Sequence, residues 1–61
     1  MANLTQIELL HLRNMIATHE VAEQKMNVYA SQCQDQQLKQ KFQQSAQSAQ
    51  QVQQQLMRFL G

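Results

Sequence analysis

The stretch Cys33-Gln34-Asp35-Gln36-Gln37-Leu38-Lys39-Gln40-Lys41-Phe42 decides how this chain folds. The sequence on either side of it reads as helix. Asp35 points to a turn. Its carboxylate can accept from backbone N–H groups near Leu38 and favours the positive end of a helix dipole, which makes it a helix start in mid-chain. One helix ending near Cys33 and another starting near Gln36 leave only Gln34 and Asp35 between them, a connection so short that the helices must lie antiparallel.

Upstream, Thr5-Gln6-Ile7-Glu8 has the form of a capping box, with the Thr5 hydroxyl accepting from the Glu8 backbone and the Glu8 carboxylate reaching back. The first helix is therefore expected over about residues 5–33, the turn at 34–35 and the second helix over about 36–60, all within one unit spanning 1–61. The absence of Pro and the single Gly at position 61 remove the usual punctuation of strands and loops. Gln, at 15 residues against four Asp and Glu combined, favours helix without adding charge.

Along the first helix, Leu9, Leu12, Ile16, His19, Glu23, Met26, Ala30 and Cys33 follow a three-four alternation interrupted in chemistry only by His19 and Glu23. The second helix repeats the spacing with Leu38, Phe42, Ser45, Ala49, Val52, Leu56 and Phe59. These two seams are predicted to pack together, with Ser45 and Ala49 leaving room opposite His19 and Glu23. Apolar residues also lie outside the seams, at Leu10, Met15, Val21, Ala22, Val28 and Tyr29 and at Ala46, Met57 and Leu60. That arc is wider than one neighbouring helix covers, and exposed apolar patches mark interfaces. At 61 residues with the lone Cys33, the chain has neither a large core nor an internal disulfide. The expectation is an all-α antiparallel hairpin that dimerises into a four-helix bundle, the copies meeting along the Leu10, Met15, Ala22 and Tyr29 side of the first helix.

A net charge of +1 and scattered cations make nucleic acid an unexpected partner. No apolar run approaches the roughly 20 residues a bilayer span needs, so no membrane partner is expected, and the chain reads as soluble, cytoplasmic in the producing cell, with Cys33 reduced. His19, Glu20 and Glu23 form the one cluster of metal-type side chains, His19 and Glu23 standing a turn apart. The preferred reading is a polar layer that sets the register of the bundle; the alternative is a metal shared by two chains. Glu8-Leu9-Leu10-His11 has the Glu-x-x-His spacing of helical di-iron sites, but Glu8 serves the cap. The second helix has no His or carboxylate beyond Asp35, so neither a metal nor another cofactor is expected. No nucleophile, base and orienting group fall into a catalytic pattern, which argues against an enzyme. From Gln43 to Met57 there is no charged side chain, a neutral amide-rich surface suited to assembly.

The phrases His19-x-x-Ala22, Met26, Tyr29-Ala30-x-x-Cys33, Asp35-x-x-Leu38-Lys39-x-x-Phe42-x-x-x-Ala46 and Leu56-Met57-Arg58-Phe59-Leu60 resemble a rubrerythrin or ferritin-like helix pair over nearly the whole chain. Where that family carries a metal-binding Glu this sequence has His19, and its Glu-x-x-His falls on Ala49 and Val52, so the resemblance implies the scaffold without the di-iron chemistry. Tyr29-Ala30-Ser31-Gln32-Cys33-Gln34-Asp35 followed by Leu38-Lys39 and Phe42, with the Gln-rich second helix, also resembles small spore coat proteins of the coat F type. That resemblance implies a non-enzymatic structural role in a bacterial spore coat, with other coat proteins as partners. A helical adaptor for a different protein is the remaining expectation.

Overall fold

A computed structural model describes residues 3–61, which form two antiparallel helices, α1 (Gln6–Gln32) and α2 (Gln36–Met57), and a closing 3₁₀ turn (Arg58–Leu60). There is no strand among the described residues, so the all-α hairpin stands; Met1 and Ala2 of the expected single unit lie outside them.

Both helix starts follow from side chains that satisfy otherwise orphaned N–H groups. At the head of α1, the Glu8 N–H donates to Thr5 Oγ1 at 3.1 Å and the Thr5 N–H donates to Glu8 Oε1 at 2.9 Å, closing the capping box. At the head of α2, the Leu38 N–H donates to Asp35 Oδ1 at 2.9 Å while the Asp35 carbonyl accepts from Lys39 N–H at 3.0 Å. The Cys33 N–H closes the last turn of α1 on the Ala30 carbonyl at 3.3 Å. Cys33 and Asp35 both have extended backbone, so the chain leaves one helix and enters the next without a left-handed residue.

The core between the helices is thin. Leu12, Ala30 and Ala46 are its buried residues, at 8%, 3% and 4% exposure. Around them Leu9, Ile16, His19, Glu23, Met26 and Cys33 of α1 are half-buried, so the α1 seam lies where its three-four spacing places it. The α2 seam differs from the expected one. Leu38 and Phe59 are 48% and 51% exposed, Ser45 is exposed, and Ala46, expected outside the seam, is buried. The observed seam is Lys39, Phe42, Ala46, Ala49, Gln53 and Leu56, with Val52 at its border. The same three-four spacing is kept, but Lys39, Ala46 and Gln53 replace Leu38, Ser45 and Val52 in one of its two rows. The rotation puts a methyl group inside in place of the Ser45 hydroxyl, and Lys39 and Gln53 are half-buried, as long side chains with apolar stems and polar ends can be at a seam.

With extents of 46 × 15 × 11 Å and a radius of gyration of 14.2 Å, the molecule is a rod. A compact domain of this length has a radius near 10.5 Å by general scaling.

Candidate interaction surface

The seam rotation leaves apolar side chains on one broad face of the hairpin. In α1, Met15, Ala22 and Tyr29 recur every seven residues beside the seam; Leu38 and Val52 of α2 and Phe59 of the closing 3₁₀ turn lie on the corresponding border. Antiparallel right-handed helices turn these two borders to the same side of the molecule. Met15, Tyr29, Leu38 and Phe59 are exposed there, and Ala22 and Val52 are half-buried. Tyr29 packs across the hairpin against Phe42, with ring centroids 5.5 Å apart and planes tilted by 57°, an aromatic contact near the turn end of this face. Beside it an open groove of about 480 Å³ runs along α1, with Ala17, Ala22 and Thr18 as its small residues, Val21, Met26 and Tyr29 as its larger apolar ones and Lys25 as its charged one.

Leu10 does not share this face. It stands five residues from Met15, roughly 140° around the helix, and projects on the far side of α1. The expected interface of Leu10, Met15, Ala22 and Tyr29 is thus split between two surfaces of one helix.

The metal-type cluster is also dispersed. His19 Nδ1 lies 2.7 Å from the Met15 carbonyl, which only accepts, so the ring donates from Nδ1 to its own helix backbone rather than pairing with Glu23. Glu23 is half-buried in the seam, and Glu20, about 100° around α1 from His19, is exposed. Among the described residues no three His, Cys, Asp or Glu side chains gather as a metal site. His11 is exposed and Glu8 is held in the capping box. The Thr5 backbone N–H and hydroxyl hydrogen bonds hold the Glu8 carboxyl below its ordinary value of 4.5. Cys33 is a free, half-buried thiol. Among the described residues, no helix is long and apolar enough to cross a membrane.

The molecule exposes 5010 Å². A compact monomer of its mass, 7.1 kDa, exposes about 4,100 Å² by general scaling. The rod thus exposes about 900 Å² more than a compact monomer, an excess similar in size to the roughly 800 Å² each partner buries in a standard protein interface. No known protein family, curated protein or solved structure matches this chain.

Proposed function

We propose that this chain is a non-enzymatic structural protein that assembles by pairing with a second copy of itself into a four-helix bundle. The observation that carries this reading is the apolar face built by Met15, Ala22 and Tyr29 of α1 with Leu38 and Val52 of α2 and Phe59 of the closing turn, set on a hairpin with a thin core of its own. Removing those side chains from water supplies the burial that the isolated hairpin lacks, at about 25 cal/mol per Å². A symmetric pair uses the same patch twice, so one apolar face on one sequence suffices. The charge-free surface from Gln43 to Met57 allows further packing against neighbours without repulsion.

The setting we propose is the bacterial spore coat. What supports it is the likeness of Tyr29–Asp35, Leu38-Lys39 and Phe42 to small coat proteins, together with the lack of any His, Asp or Glu in α2.

Size-exclusion chromatography with light scattering tests the pairing: the expected mass is at least twice the 7.1 kDa of one chain, and a folded monomer at micromolar concentration would overturn it. A fluorescent fusion expressed in a sporulating bacterium tests the setting. A ring around the developing spore is expected; a diffuse signal would remove the coat assignment while leaving the bundle. Retention of a different host protein in place of a second copy would convert the reading to an adaptor.

A further inference from the structure

We propose that the outer face of α1, opposite α2, is a second self-association surface on which α1 of another copy lies parallel and in register. This goes beyond the bundle face, which uses a different side of the helix. Two rows build it. Ile7, Asn14, Val21 and Val28 follow one another every seven residues, and Leu10, Ala17 and Gln24 form the second row between them. The combined steps alternate three and four, as in the seam that α1 buries against α2, and all seven residues are exposed. The helix therefore carries two heptad stripes on opposite sides, one of them uncovered.

The chemistry of the uncovered stripe selects its occupant. The first row is β-branched at Ile7, Val21 and Val28, the second carries Leu10 beside the smaller Ala17 and the polar Gln24, and the single Asn14 in the β-branched row is the kind of residue that sets register and strand number in a parallel pair. In the parallel pair Asn14 meets Asn14 of the other copy, and each amide offers a donor and an acceptor to its twin. The flanking positions agree. Glu20 lies on one flank of the stripe and Lys25 on the other, five residues on, which is the offset that joins opposite flanks of two parallel helices. Glu20 of each copy then faces Lys25 of the other, giving two ion pairs by symmetry. The antiparallel register that would match Asn14 with Gln24 instead sets Glu20 beside Glu20 and Lys25 beside His11, so charge selects the parallel arrangement. A foreign helix has no reason to repeat these features, whereas a second copy supplies all of them. Used together with the bundle face, this stripe links dimers into tetramers or longer chains.

The test is cysteine cross-linking of the full chain with Cys33→Ser, so that the engineered thiol is the only one. Ala17→Cys lies in the second row, where parallel in-register pairing brings residue 17 of both copies together. Mild oxidation at micromolar concentration is expected to give near-complete linkage. Glu20→Lys should weaken that pairing roughly ten-fold, by the loss of two exposed ion pairs and the creation of like-charge contacts, and Glu20→Lys with Lys25→Glu should restore it. Absence of the cross-link in a protein that keeps its helical circular dichroism would overturn the proposal, as would a cross-link indifferent to both charge variants. Light scattering on Val52→Glu and Val21→Glu separates the two surfaces. A protein that pairs but never cross-links at residue 17 keeps the bundle and loses the α1 stripe. One whose pairing survives Val52→Glu but not Val21→Glu keeps the stripe and loses the bundle.

Discussion

Asp35 carries more structural information than any other single side chain here, because it turns a helical sequence into a hairpin. Its carboxylate satisfies the Leu38 N–H at 2.9 Å, a donor that no α2 carbonyl can reach. Asp35→Ala is expected to destabilise the hairpin by about 1 kcal/mol in urea unfolding, and Asp35→Asn, which keeps an accepting oxygen, by much less. Glu8 gives a pH signature. Its carboxyl is held below 4.5 by the Thr5 hydrogen bonds, so the folded state binds that proton less readily than the unfolded one. The stabilisation is complete above the ordinary value and fades as pH falls through the lowered folded value. Thermal unfolding followed between pH 6 and pH 3 should therefore show a decline in the native protein that is reduced in Glu8→Gln. Leu12 is the one large side chain in the buried set, and Leu12→Ala should cost about 2–5 kcal/mol, enough to unfold a hairpin with so little else inside. Both caps were legible in the sequence, since a cap is a local arrangement of three or four residues.

At the scale of the element, α1 and α2 differ in how readily they could be read. The α1 seam contains Leu9, Leu12, Ile16 and Met26, large residues that outweigh any neighbouring choice, and it is found where expected. In α2 the alternatives were close: Ser45 against Ala46, Leu38 against Lys39, Val52 against Gln53. Apolar character alone favoured Leu38 and Val52, but all three pairs must rotate together on a rigid helix, and the packing that buries Ala46 exposes Leu38. A period count does not register that coupling. Ala46 is 4% exposed in the seam, so Ala46→Leu should overpack it and cost about 1–3 kcal/mol, whereas Ser45→Leu, at an exposed position, should be tolerated. Chemical denaturation of the two variants side by side checks the seam register directly. The split of Leu10 from Met15, Ala22 and Tyr29 has a similar origin: an apolar surplus on α1 could be counted, but its division into two faces required the direction of α2.

For the whole molecule, shape is the governing fact. A rod of 46 × 15 × 11 Å with Leu12, Ala30 and Ala46 as its buried core leaves most of its apolar surface for other molecules. The charge-free run of α2 and the exposed faces of α1 then make sense as parts of an assembly. Val52→Glu, a charge placed on the α2 border of the bundle face, should leave an isolated hairpin only marginally folded, with helical circular dichroism lost at concentrations where the native chain retains it. Folding that depends on a second copy also follows mass action. The most direct measurement is the thermal unfolding midpoint of the native chain over a hundred-fold range of protein concentration. Coupled folding and pairing requires the midpoint to climb steadily as concentration rises. A midpoint that stays fixed across that range, with a mass of 7.1 kDa throughout, would contradict the claim that this hairpin needs a partner.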